Sequence, residues 1–180
     1  MEYSEKVKSM IRKLKGGREW FILQPGESAT IVVVSDVDDF VEVPTHRYEG
    51  ETLLCGTFQG SECQLCDAGL QTVYRVALHV SPEDTGEDLV AVWAWGQDSP
   101  LKVMSDVFSA RGVPFRGMRL SVRRLPKESK GFWDVTYLGN VPVDKPPLPR
   151  AEVVRRAAAQ VLSWTRKNRS NSSSEEDVPF

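Results

Sequence analysis

His46, Cys55, Cys63 and Cys66 lie in one short stretch, and all three cysteines of the chain are among them. A disulfide framework needs pairs and an oxidising compartment. Three cysteines crowded into one polar segment suit metal ligation in a reducing compartment better. Cys63-Gln-Leu-Cys66 has the C-x2-C spacing, which lets two thiolates reach one ion while amides of the turn donate to sulfur. Cys55 upstream and His46 before it complete four nitrogen and sulfur donors, enough for a closed tetrahedral site, so one structural zinc ion is the expected cofactor. His79 is the only other histidine. Its strand position points to the outer face, which leaves His46 as the fourth ligand.

The same pattern argues against catalysis. A redox C-x2-C sits at a strand-to-helix junction of a βαβ unit, whereas this one closes an acidic loop. Zinc deaminases need H-x-E and a proline before the first cysteine. Here Arg47-Tyr48-Glu49 follows His46, and Glu62 precedes Cys63. No H-E-x-x-H, P-loop or Ser-His-Asp set is visible, and four protein ligands leave no open position for water. The chain is expected not to be an enzyme.

Around this cluster the hydrophobic pattern is mainly that of strands. Residues 3–15 carry Val7, Met10, Ile11 and Leu14 at helical spacing and end at Gly16-Gly17, a short basic helix. Residues 29–35 are β-branched and read as a buried strand. Residues 36–69 read as an acidic, irregular insertion. Residues 71–80 alternate, with Tyr74, Val76, Leu78 and Val80 one way and Arg75, Ala77 and His79 the other. Residues 88–95 follow as a strand with Val90 and Val92 on one face and Trp93 and Trp95 on the other. Ser99-Pro100 opens a helix that Gly112 ends. Residues 117–125 and 132–138 supply two more strands. The order of strand, insertion, strand, strand, helix, strand, strand is that of a five-stranded OB-type barrel with a zinc-binding insertion between strands 1 and 2.

Four segments follow. Residues 1–17 form a basic N-terminal arm, and residues 18–140 the OB-type domain with its insertion at 36–69. Residues 141–167 hold a proline-rich spacer and an amphipathic helix with Val153, Val154, Ala157, Val161 and Trp164 on one stripe. Residues 168–180 are a polar linker and an acidic tip, expected to be disordered. No apolar run approaches the length of a membrane span. The polar Met-Glu-Tyr-Ser-Glu-Lys start has no signal-peptide core, so a cytoplasmic protein is expected.

Charge is segregated although the net charge is only −2. Residues 36–88 hold 12 acidic and 2 basic residues, whereas residues 99–169 hold 15 basic and 5 acidic. Segregated positive charge steers a polyanion onto one face. Single-strand binders pair such charge with rings on which bases stack. Trp93 and Trp95, with Arg75, Arg119 and Arg123 on outward positions of neighbouring strands, form the expected nucleic-acid face. Arg47 and Tyr48, beside His46, form the opposite wall.

An OB-like strand order interrupted by a His46…Cys55…Cys63-x2-Cys66 loop resembles the zinc-containing single-stranded-DNA-binding proteins of T-even-type phages, over roughly residues 20–140. The resemblance implies a protein that coats single-stranded DNA in replication, recombination or repair. It also implies a zinc subdomain forming one wall of the DNA cleft, and a basic arm that supports self-association on DNA. This chain departs from that family in lacking its long acidic tail domain and in offering tryptophans where the family uses tyrosines. Separately, Glu175-Glu176-Asp177-Val178-Pro179-Phe180 resembles the acidic Pro-Phe tip of bacterial single-stranded-DNA-binding proteins. That likeness implies recruitment of replication or recombination proteins, a terminal ring and carboxylate entering a basic-rimmed pocket. A zinc-containing OB-fold RNA-binding protein and a protein–protein adaptor are the alternatives.

Overall fold

A computed structural model describes residues 18–96 and 99–170. The basic arm and the acidic tip lie outside the described residues. Among the described residues the architecture is mainly β, with one seven-stranded antiparallel sheet and three helices. The strands are β1 (Ser28–Val33), β2 (Val41–Tyr48), β3 (Glu51–Leu54), β4 (Thr72–Pro82), β5 (Leu89–Ala94), β6 (Met118–Arg124) and β7 (Trp133–Asn140). The helices are α1 (Gln64–Asp67), α2 (Pro100–Arg111) and α3 (Arg150–Ser170).

Along the sheet the order is β3-β2-β4-β1-β6-β7, and β5 pairs with β4 off this path. The expected closed five-stranded barrel is therefore corrected to an open sheet. The sheet is organised around β4, an eleven-residue strand that serves three neighbours. Its first half pairs with β2, Val41 opposite Ala77 through His46 opposite Thr72. Its end pairs with β1, Val33 opposite Val80. Its other edge takes β5, Arg75 opposite Ala94. Among the described residues β5 and β7 do not pair, so the sheet does not close on itself.

The expectation of an irregular 36–69 segment is corrected too. Val41, Val43 and Thr45 alternate with Glu42 and Pro44, and this short period-2 run makes β2. Glu49 (φ 50°) and Gly50 (φ 79°) turn the chain back into β3. The segment thus adds a hairpin to the main sheet, and only residues 55–71 hang from it as a loop.

Apolar residues pack on both faces. On one face Ile31, Val33, Val76, Leu78, Val80, Leu89, Ala91, Trp93, Met118, Leu120 and Val122 join Leu101 and Met104 of α2 in the main core. On the other, Val41, Val43, Ala77, Val90 and Val92 meet Val153, Ala157, Val161 and Trp164 of α3. β4 and β5 are buried on both faces over most of their length, which is why residues 88–95 read as nearly continuous apolar sequence rather than as clean alternation. Ser99 caps α2 by accepting from the Lys102 amide, and Gly112 ends it in a left-handed conformation (φ 65°), both as the sequence predicts. No helix among the described residues is long and apolar enough to cross a membrane.

Candidate metal centre and the adjoining aromatic groove

The four expected ligands converge. The ligating atoms of His46, Cys55, Cys63 and Cys66 all lie within 4.8 Å of one another. They come from three local devices. His46 sits near the end of β2, held between Leu53 of β3 and Thr72 of β4. Cys55 follows β3, and its amide donates to the Pro44 carbonyl (3.0 Å), prolonging the hairpin by one bond. Cys63 is the N-cap residue of α1 and Cys66 lies within that single turn.

The distances fit a tetrahedral ion. His46 Nε2 is 3.5 Å from Cys63 Sγ and 3.3 Å from Cys66 Sγ, and the sulfurs of Cys55 and Cys66 are 3.5 Å apart. Metal–sulfur bonds near 2.3 Å and metal–nitrogen bonds near 2.0 Å at tetrahedral angles put neighbouring ligands about 3.6–3.8 Å apart. His46 Nδ1 lies 3.1 Å from the Gln71 carbonyl. A proton on Nδ1 donates there and leaves the Nε2 lone pair aimed at the sulfurs, the usual outer partner of a ligating imidazole.

The electrostatics ask for a cation. Backbone N–H groups of Cys66 and Gly56 hold the Cys63 thiol down to about 6. Burial works to raise the Cys55 thiol, but hydrogen bonds from the Thr57 hydroxyl and amide outweigh it and bring it below its ordinary value. Neighbouring Cys55, burial and Cys63 push Cys66 up to about 12. Burial works to depress the His46 imidazole, yet Cys55, the Gln71 carbonyl and Cys63 leave it raised. Three thiols this close cannot all ionise against one another, and a divalent ion removes that repulsion. Three of the four ligands are buried, with Cys66 exposed. The arrangement can hold a metal with protein ligands alone, which suits a structural role.

Gly56 is the tightest point of the loop. A Cβ there would lie 2.5 Å from the Glu62 carbonyl oxygen. Only glycine lets its amide approach Cys63 from that side.

Next to the cluster runs a groove of about 810 Å³ lined by Phe40, Glu42, Pro44, Phe58, Tyr74, Trp95, Phe115 and Arg150 among others. Pro44 lies opposite Tyr74. The register that pairs Arg75 with Ala94 brings Tyr74 and Trp95 opposite each other. Pro44, Tyr74 and Trp95 thus form one row across three strands, on the sheet face that carries His46 two residues along β2. Tyr74 is 52% exposed and Trp95 56%. Thr57 and Phe58, in the 3-10 turn Gly56–Gln59 that directly follows Cys55, form the wall on the metal-loop side.

The structure redistributes the expected nucleic-acid residues. Trp93 shares a face with Trp95, but that face is the main core. Trp93 is 3% exposed and meets the Phe21 ring edge-on at 6.4 Å, so its outward placement is corrected. Arg75 is on the opposite face, buried beneath α3 with its guanidinium 5.1 Å from the Trp164 ring, and burial depresses it to about 10. Its expected solvent-facing position is corrected as well, because α3 covers that face. Arg119 is engaged by Glu83, and Arg123 is exposed on β6, opposite Ser28 of β1. Arg47 and Tyr48 are exposed at the tip of the β2–β3 hairpin. The groove residues Phe40, Phe58, Phe115 and Arg150 were not expected from the sequence. The only local signal was Tyr74, an aromatic that continues the apolar alternation of β4 past the end of the core.

No family model, curated protein or solved structure matches this chain.

Proposed function

We propose that this chain is a non-catalytic single-stranded-DNA-binding protein whose strand lies in the Pro44–Tyr74–Trp95 groove and whose loop is stapled by zinc. The observation that carries this reading is the cross-strand pair of rings, Tyr74 and Trp95, 52% and 56% exposed at the groove with Pro44 beside Tyr74. Flat rings presented side by side on a sheet are what unstacked bases bind, at about 1–3 kcal/mol per base. Neither ring belongs to the packed cores on the two faces of the sheet. The three cysteines and one histidine suit zinc by donor type and number. The connectivity supports an OB-type strand order within the sheet: β1, β4 and β5 in succession, a helix, then β6 returning beside β1 and β7 beside β6. Replication and recombination partners would be met by the acidic Pro-Phe tip, residues 175–180.

Titration of tryptophan fluorescence with oligo(dT) tests the proposal. Stacking on Trp95 should quench emission, and Trp95→Ala should remove that quench and weaken binding by about 1–3 kcal/mol. With Arg150 as the cation lining the groove, each phosphate neutralised adds roughly −0.7 to the log–log salt slope. Unchanged affinity in Trp95→Ala, or no binding at low salt, would sink the reading. Preference for oligo(U) over oligo(dT) in competition would assign the groove to RNA.

A further inference from the structure

We infer that a bound strand continues past Trp95 onto a second aromatic station, the Phe40–Phe115–Phe108 stack, with Arg111 beside it for a phosphate; this rests on the groove being the nucleic-acid site. Phe40 and Phe115 line the groove. Their ring centroids are 5.3 Å apart, and both are partly buried against the main core. Phe115 in turn stacks on Phe108 of α2 at 5.0 Å and 18° between planes. The three rings therefore form a continuous path from the groove to the outer surface of α2. Phe115 covers one side of Phe108, and Phe108 is still 46% exposed.

The core does not need Phe108. The buried side chains of α2 are Pro100, Leu101 and Met104, whereas Phe108 sits on the last turn with its ring turned toward Phe115. A near-parallel ring pair with an outer face in solvent is half of a base-stacking sandwich, tolerant of sequence because every base has a π-face. Arg111 lies three residues on, on the same side of the helix. Its guanidinium is held 5.3 Å over the Tyr137 ring, and the residue is exposed. A cation fixed one turn from an open ring suits a nucleotide, whose base and phosphate are separated by a sugar. An apolar peptide would have no use for it. Continuity with the groove and this charge together select a single strand as the occupant.

The inference makes binding length-dependent. Oligo(dT) of about 4 and about 16 nucleotides, the range of site sizes of OB folds, separates the two stations. Anisotropy titrations of the full-length, metal-loaded protein should show Phe108→Ala binding the long oligomer roughly tenfold more weakly. The short oligomer should lose less than about twofold. Phe108→Leu should behave as Phe108→Ala, and Phe108→Trp should restore long-oligomer affinity, because stacking and not apolar area is at stake. Melting temperatures of the three variants should match the parent, since Phe108 lies on the surface. Equal losses on both lengths, no loss on the long one, or full binding in Phe108→Leu would overturn the second station while leaving the groove intact. Failure of the parent to bind either length would overturn the groove itself and the station with it.

Discussion

Gly56→Ala is a one-methyl test of the metal centre. The added Cβ would sit 2.5 Å from the Glu62 carbonyl oxygen, 3.2 Å from the Glu62 carbonyl carbon and 3.3 Å from Cys63 Cα. All three are backbone atoms, so no side chain can swing aside. Restoring even the 3.0 Å that real Cβ contacts respect requires an opening of about 0.5 Å between the turn and the Glu62–Cys63 segment. Metal–ligand distances tolerate only about 0.2 Å. The Cys63 sulfur must then either leave the ligand set or drag the turn with it. The Gly56 N–H that helps hold the Cys63 thiol down to about 6 retreats in both cases. Overpacking of this kind costs about 1–3 kcal/mol, and loss of an outer partner typically weakens metal binding about 10–100-fold. The two estimates agree on a fall of one to two orders of magnitude. Competition with a chromophoric zinc chelator measures it. Gly60→Ala is the control. It lies in the same turn at φ 77° with nothing within 4 Å of a new Cβ, so it incurs backbone strain of about 1–2 kcal/mol without pressing on a ligand. Parent-like zinc affinity in Gly56→Ala, or an equal loss in Gly60→Ala, would refute the steric argument.

Two further outcomes follow from the same geometry. Chelation should raise hydrogen exchange over residues 55–71 before it does so in β4 and β5, because only that loop depends on the ligands. It should also weaken oligo(dT) binding through Phe58, whose turn begins at Cys55; uniform exchange across the sheet would contradict this. Acidification should loosen the spacer. Burial holds the His79 imidazole below its ordinary 6.5 despite the Asp88 bond, with Lys145 and Arg156 also opposing its charge. Its Nδ1 accepts the Leu148 amide at 3.1 Å. The folded chain resists protonation there, so this contribution is full above pH 6.5 and is lost as pH falls through the lower folded value. Melting temperature should fall below pH 6.5 in the parent, and His79→Gln should flatten that part of the profile.

Much of the fold is legible in local pattern because local sterics set it. Ser99-Pro100 and Gly112 bound α2, and the stripe of Val153, Ala157, Val161 and Trp164 predicts the buried face of α3. Met118, Leu120 and Val122 alternate inward on β6, buried as a period-2 strand requires. The metal ligands are legible for a different reason: ligand chemistry admits few residue types, and all three cysteines fall in one stretch, so little choice remains. What the pattern did not show is β2 and β3, because the polar residues of Val41–Tyr48 mask a short alternation and its turn lacks a strong Asn-Gly signal.

Pairing and facing were decided only by tertiary structure. Period-2 alternation states that Trp93 and Trp95 share a face, but not which face is covered. The covering elements, α2 on one side and α3 on the other, arrive from distant parts of the chain. They bury Trp93 and Arg75 and leave Trp95 at the end of its strand in solvent. The sheet stays open because, among the described residues, β5 and β7 do not pair, a long-range outcome that no single segment states. The cysteine count and spacing by themselves pointed to one metal cluster of Cys55, Cys63 and Cys66 with His46, and the structure brings the four together. Only the folded sheet placed that meeting beside Pro44, Tyr74 and Trp95, because the register of β2, β4 and β5 is a long-range property that no single segment encodes.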